Sequence, residues 1–383
     1  MIYFDNSATT KPYSEVIDSF VKVSTEFFGN PSSLHKLGGK SEKLLTQARE
    51  QIASLLGVKW NEILFTSGGT EANNLAIKGT ALQYRERGKH IITSSIEHPS
   101  VYETCQQLAS LGYDVTYLPV DNEGRVNPSD VEKAIRKDTI LVSIMHVNNE
   151  VGTIQPIEEI GRLLKNYPKV LFHVDYVQGC GKVPLDLSSG LIDLCTISAH
   201  KIHGLKGVGA LYLREGIRIS PLMTGGSQEQ KVRSGTENTA GIVAMAKAMR
   251  LTMEKRKTEL PRIIEIHQFL RQELEKIDGI QINTPTSGHA PHILNVSAIG
   301  LRGEVIVHSL AERGIYVSTT SACSSKLQSP SKTLMAMGAS KEAAIGTIRI
   351  SLSYENTMEE AQQFVESFKQ VVENLWKVTR SAK

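Results

Sequence analysis

The 383-residue sequence is 40% hydrophobic and 22% charged, and its 43 Lys and Arg against 40 Asp and Glu leave a net charge of +3. That near balance supplies no global field for a polyanion, so neither direct nucleic-acid binding nor membrane attachment is expected. Cys105, Cys180, Cys195 and Cys323 lie far apart with no C-x-x-C pair, which argues against a zinc knuckle, a thioredoxin-type site and a disulfide framework and leaves no metal expected. A reducing, cytoplasmic setting fits such thiols. The start, Met1-Ile2-Tyr3-Phe4-Asp5-Asn6, lacks the basic-then-apolar order of a secretory signal, and no run of about 18 apolar residues occurs.

In chain order, short apolar or β-branched runs at 62–66, 90–94, 114–118, 140–146, 170–175, 194–198 and 209–213 alternate with helical patterns at 41–56, 73–87, 100–111, 128–135 and 157–165. This alternation predicts an α/β fold whose large domain holds a mostly parallel seven-stranded sheet flanked by helices. Two further helices are expected at 238–253 and 260–277, the second with Pro261 in its first turn, where a missing N–H is tolerated. From Gln281 onward, strand-like runs at 293–296, 315–317 and 347–351 alternate with helices near 304–312 and 358–376. That change predicts a smaller α+β domain. The expected division is 14–257 for the large domain and 1–13 with 258–383 for the small one, joined near 255–260 through helix rather than a flexible tether.

Phe65-Thr66-Ser67-Gly68-Gly69-Thr70 takes a strand through two glycines into a helix. Such a turn exposes backbone N–H groups at a helix N-terminus and Thr70 adds a hydroxyl, so it suits a phosphate about as well as a plain connection. Neither G-x-x-x-x-G-K-[ST] nor a G-x-G-x-x-G after a strand is present, which disfavours an ATPase or an NAD enzyme. Asp175 ends a strand expected near the sheet centre, where a carboxylate can meet a cationic ring nitrogen or simply cap the next helix. Lys201 follows another strand end between His200 and His203. A lysine of lowered pKa forms a Schiff base with an aldehyde, and cationic neighbours would lower it; standing alone, the stretch reads as a basic surface loop.

Glu97-His98-Pro99, Asn148-Asn149-Glu150, Ser234-Gly235-Thr236, Ser321-Ala322-Cys323 and Ile348-Arg349 each have an ordinary reading: a capping histidine, a polar turn, a helix start, a buried thiol, a strand-end arginine. Jointly they describe a pyridoxal phosphate site with a cysteine nucleophile.

From Tyr3-Phe4-Asp5-Asn6-Ser7-Ala8-Thr9-Thr10 and Phe28-Gly29-Asn30-Pro31-Ser32-Ser33 through Ser198-Ala199-His200-Lys201 to Ser321-Ala322-Cys323 and Arg349, the chain resembles the cysteine desulfurases almost end to end. These belong to the class V aminotransferase superfamily, with the fold-type I pyridoxal 5'-phosphate architecture. The resemblance implies removal of sulfur from L-cysteine, giving L-alanine and a persulfide on Cys323 that passes to an acceptor protein. It implies that Lys201 holds the cofactor aldehyde, Asp175 the pyridinium nitrogen and Gln178 the phenolic oxygen. Gly69, Thr70, Ser198 and His200 would surround the phosphate, with Thr236 reaching in from the second subunit of a homodimer whose active site lies at the interface. His98 would stack on the ring and move protons, and Asn149 and Arg349 would hold the substrate carboxylate.

A thiolate is the competent nucleophile, and residues 318–331, rich in Ser, Thr and Lys, read as a mobile loop that carries Cys323 to an acceptor. Cys105, Cys180 and Cys195 read as packing thiols. Two departures from the family pattern stand out. Tyr176 replaces a small residue and is expected to alter the wall beside the cofactor, and Thr319-Thr320 removes a glycine from the loop. The short stretch after Trp376 points to a dedicated acceptor, such as a tRNA- or thiamine-thiolation enzyme. Iron–sulfur cluster assembly, selenocysteine lyase or another class V activity are the alternatives.

Overall fold

The computed structural model describes residues 1–319 and 330–381. A short strand β1 (Ile2–Tyr3) precedes helices α1 (Ser14–Glu26) and α2 (Lys36–Leu56). The main sheet then begins with β2 (Ile63–Thr66), β3 (His90–Ser94), β4 (Asp114–Leu118), β5 (Thr139–Met145), β6 (Leu171–Asp175), β7 (Leu194–Ser198) and β8 (Gly209–Leu213), arranged in the order β2-β8-β7-β6-β5-β3-β4. Only β8 runs against its neighbours; every other pairing is parallel. The seven strands stand where the sequence places them, within a residue at each end.

Helices on both faces explain why these strands read as continuous apolar runs rather than alternating ones. Ile92, Val142, Phe172 and Cys195 join the core on one face, with Leu45 and Ile52 of α2. Their neighbours Ile91, Leu141, Leu171 and Leu194 join the core on the other, with Leu75 of α3 (Gly69–Gln83) and Val101 of α4 (Pro99–Ser110). Each such side chain removed from water contributes about 1.5–3 kcal/mol.

A separate core packs Phe4, Ile266, Leu270, Val296, Ile306, Ile348, Phe364 and Phe368 together. Its sheet has β10 (Ile293–Ala298) between β9 (Ile280–Ile282) and β12 (Thr347–Ser351), all antiparallel. Helices α8 (Gly303–Ala311) and α11 (Met358–Ser381) cover it, and β11 (Ile315–Tyr316) pairs in parallel with β1; α5 (Pro128–Ala134) and α6 (Ile157–Leu164) pack in the first core, and the short α9 (Lys332–Ala336) and α10 (Lys341–Ile345) precede β12.

The two helices expected at 238–253 and 260–277 are one, α7 (Thr239–Glu275), with Pro261 in its interior rather than its first turn. Proline cannot donate to the Lys257 carbonyl, a defect of about 3 kcal/mol. The helix persists because its halves are buried separately: Ile242, Met245 and Met249 in the first core, Ile263, Ile266, Leu270 and Leu274 in the second. Helix α1, not anticipated from the sequence, lays Val16 and Phe20 against Ala244 and Ala248 of α7.

Arg49 of α2 grips Glu229 through two hydrogen bonds of 2.7 Å, and the Phe65 N–H donates to the same carboxylate at 2.8 Å. Glu229, Gln230 and Lys231 all have left-handed backbones, φ 42°, 58° and 64°, an arrangement non-glycine residues avoid unless their surroundings impose it. Glu229→Gln leaves the Arg49 cation buried without a counter-charge. Its expected cost is about 3–5 kcal/mol, read as a lower urea midpoint.

Candidate active site

The C-terminal ends of β6 and β7, the N-terminus of α3 and one residue of β12 meet around a cleft of roughly 180 Å³. Gly69, Thr70, His98, Asn149, Asp175, Gln178, Ser198, His200, Lys201 and Arg349 all line it. Thr236 does not: it is exposed, just before α7. Cys323 and most of the 318–331 segment fall outside the described residues.

Gly68 lets β2 turn into α3 with φ 154° and ψ −178°, a region open essentially to glycine alone. The helix therefore starts at Gly69, four residues before the expected 73. A Cβ on Gly69 would lie 3.0 Å from Val177 Cγ2 and 3.4 Å from Ser198 Cβ, so a side chain there would crowd the floor of the cleft. Ser198 Oγ, beside it, is buried without a hydrogen-bond partner.

Asp175 faces the cleft at the end of β6, and a turn rather than a helix follows it. Its Oδ1 accepts from Val177 N–H at 3.0 Å, while Oδ2 accepts from Asn73 Nδ2 at 2.8 Å. Asn73 Nδ2 also donates to Ser100 Oγ at 2.8 Å, and that oxygen lies 2.8 Å from His98 Nδ1. The Ser100 backbone N–H donates to Nδ1 as well, at 3.1 Å. Nδ1 is thus an acceptor and the neutral ring carries its proton on Nε2. Burial lowers the His98 pKa, against the pull of Asp175.

Lys201 Nζ donates to the Ala8 carbonyl at 2.7 Å and to the Ser7 carbonyl, which also receives Gln178 Nε2 at 3.0 Å. Gln178 Oε1 is left buried and unpartnered. His200 and His203 are not the cationic neighbours expected. Burial pushes them down to about 3 and about 4, so both are neutral at pH 7. The cation beside the Lys201 peptide is instead Lys182, whose Nζ donates to the Lys201 carbonyl at 3.0 Å.

Arg349 is almost fully buried and already engaged: Nη1 donates to the Asn149 carbonyl at 2.8 Å and Nη2 to Asp5 Oδ1 at 3.0 Å, while Nε has no partner. Sequence reasoning missed Asp5, Ser7 and Asn73 as site residues. Tyr176 does not form a wall of the cleft; it points into the first core, with its hydroxyl donating to the Val183 carbonyl at 2.7 Å. Cys105 and Cys180 are buried with pKa values pushed up to about 12, and burial likewise raises Cys195 well above the usual thiol value.

The family model for Aminotransferase class-V matches residues 2–364. The chain belongs to the class-V aminotransferases. This family is pyridoxal phosphate-dependent. Among its members, a protein named NifS/IcsS protein homolog from Lactobacillus delbrueckii subsp. bulgaricus is 50% identical over 99% of both chains. A cysteine desulfurase IscS from Dictyoglomus turgidum is 44% identical over 100% of this chain and 99% of its own. Of the solved class-V structures, one titled NifS-like protein superposes with a TM-score of 0.92 at 40% identity, covering 97% of this chain and 99% of that one. Another, titled SspA in complex with cysteine, gives 0.82 at 36% identity over 92% and 99%. Among the described residues, no helix is long and apolar enough to cross a membrane.

This class-V cleft also has a carboxyl behind it. Glu97 Oε1 accepts from Ser94 Oγ at 2.6 Å and from Met145 N–H at 3.1 Å, Oε2 has no partner, and burial pushes the pKa up to about 8. Between the ordinary carboxyl value near 4.5 and about 8, the folded chain therefore holds a proton the unfolded chain has lost. The Glu97 contribution to stability falls as pH rises through that window, opposite in sign to that of the buried histidines. Glu97→Gln removes this contribution, so from pH 5 to pH 8 the melting temperature of the variant should shift upward relative to that of wild type.

Proposed function

We propose that the chain is a pyridoxal phosphate-dependent cysteine desulfurase, converting L-cysteine to L-alanine and retaining the sulfur as a persulfide on Cys323. The observation that carries this reading is the meeting of Lys201, Asp175 and the unpartnered Ser198 Oγ and Gln178 Oε1 in one cleft. Lys201, Asp175 and Ser198 match the aldehyde, ring nitrogen and phosphate of the cofactor in kind, Gln178 would turn its amide to give Nε2 to the phenolic oxygen, and the relatives named as cysteine desulfurases support the substrate.

Bound there, the cofactor supplies an electron sink for the charge left at the substrate Cα. Lys201 would hold its aldehyde, with the Ser7 and Ala8 carbonyls orienting Nζ beforehand. Asp175, fixed by Asn73, would keep the ring nitrogen protonated. The Gly69 and Thr70 end of α3, Ser198 and His200 would hold the phosphate, joined by Thr236 of a second copy in a homodimer; exposure of Thr236 on its own chain agrees with that role. His98 would move protons at Nε2, since Nδ1 is occupied by Ser100. Arg349 and Asn149 would take the substrate carboxylate, which would compete with Asp5 for the guanidinium.

Cys323 would act as a thiolate on the substrate sulfur, which suits a reducing cytoplasm. Lys201→Ala is expected to lose the visible absorption of the bound cofactor. Cys323→Ser should keep that absorption but lose nearly all alanine and sulfide production from L-cysteine. Normal turnover by Cys323→Ser would move the nucleophile elsewhere.

The acceptor in this reading is a tRNA- or thiamine-thiolation enzyme. Persulfide transfer measured side by side to such enzymes and to an iron–sulfur scaffold protein should favour the former, and delivery to the scaffold alone would overturn it.

A further inference from the structure

Behind the Lys201 peptide lies a second cavity of about 10 Å³, lined in part by Lys182, His203, Thr252, Ile263, His292 and Tyr354. It sits where the two cores approach: Thr252 and Ile263 come from either side of Pro261 on α7, and Tyr354 from the segment after β12. Lys182 and His292 are only 4% and 2% exposed. The Lys182 ammonium gives one proton to the Lys201 carbonyl, and among the described residues it has no carboxylate partner. Neither ring nitrogen of His292 makes a hydrogen bond of good geometry, although the Gln178 carbonyl acts on the ring.

The nearby groups do not neutralise this cation. Arg349, which acts on both Lys182 and His292, is itself a cation paired with Asp5. Cys180 is held protonated by burial. The Thr252 and Tyr354 hydroxyls have already given their protons to the Ile202 and Gly181 carbonyls. Among the groups that line the cavity are a buried ammonium with protons to spare and an imidazole whose hydrogen bonding is poorly satisfied, a combination that favours a negative acceptor. A volume of this size admits one water-sized or monatomic species. Sulfate, phosphate and amino acids are too large.

We propose that this cavity is a binding site for a single monatomic anion of chloride size, held between Lys182 and His292. Such an ion would neutralise the cation that anchors the Lys201 peptide and would link the turn at Lys182 to the segment after β12. Because it binds only the folded chain, its occupancy raises stability by mass action.

The test uses the full-length protein as isolated, at pH 7, below the value of about 8 to which burial lowers Lys182. Thermal melting is followed while chloride or bromide replaces gluconate at constant ionic strength, and crystals grown in bromide are measured at the bromine absorption edge. The expected results are a saturable rise in melting temperature with halide, and an anomalous peak within hydrogen-bonding reach of both Lys182 Nζ and His292. Lys182→Met and His292→Leu should each abolish the rise. Equal melting in gluconate and halide, an ordered water without anomalous signal in the cavity, bromide found only as an adventitious ion at the surface, or an undiminished rise in folded variants would each overturn the proposal. If neither variant folds, the wild-type titration and the bromide map still decide.

Discussion

The cleft exists because the first ten residues are strapped across both cores. Phe4 is buried in the second core, and its carbonyl receives the Ser351 N–H of β12 at 2.7 Å. Asp5 reaches Arg349 on that strand. Two residues further on, the Ser7 carbonyl takes Gln178 and Lys201 from the opposite side, and Thr10 binds the His200 carbonyl through both its N–H and its hydroxyl at 2.9 Å. The strap therefore fixes the distance between the arginine on the small sheet and the lysine on the large one. Without it, α7 would be the covalent link between the two cores, with packing such as Val147 and Val183 against Ile293 beside it.

Within that frame, burial sets the charge of the histidines around the cleft. His98, His146, His173, His200 and His203 all have lowered pKa values with burial as the main cause, so the interior around the cleft is poor in mobile positive charge at neutral pH. Fixed cations remain where they have been given an acceptor: Arg349 on Asp5 and the Asn149 carbonyl, Lys201 on two carbonyls. Directional hydrogen bonds rather than bulk electrostatics thus orient the site, consistent with the near-neutral charge of the whole chain.

The sheet was legible in the sequence because strands covered on both faces leave unbroken apolar runs, and the strand ends at Asp175 and Ser198 carry side chains that stand out chemically. What was not legible acts through the backbone or through neighbours distant in sequence. Ser7 and Ala8 contribute carbonyl oxygens, which no residue type announces. The neutrality of His200 and His203 depends on burial that composition does not encode, so counting them as cations failed. Pro261 misled for a similar reason: its local cost is real, but two separately buried stripes on α7 outweigh it. Tyr176 was placed beside the cleft by sequence adjacency to Asp175, whereas alternation along an extended segment turns consecutive side chains to opposite sides.

The same burial that makes the fold stable divides the thiols. Cys105 is locked in α4, Cys195 in β7 and Cys180 in the first core, each with its ionised form heavily penalised. A sulfur-abstracting thiolate needs the opposite surroundings, with water or positive charge to stabilise it and room for a second protein to collect the sulfur. No residue of either core can meet both needs without opening the packing that defines it. None of these three thiols therefore suits the sulfur transfer proposed above, and the proposal assigns it to the fourth cysteine of the sequence, Cys323.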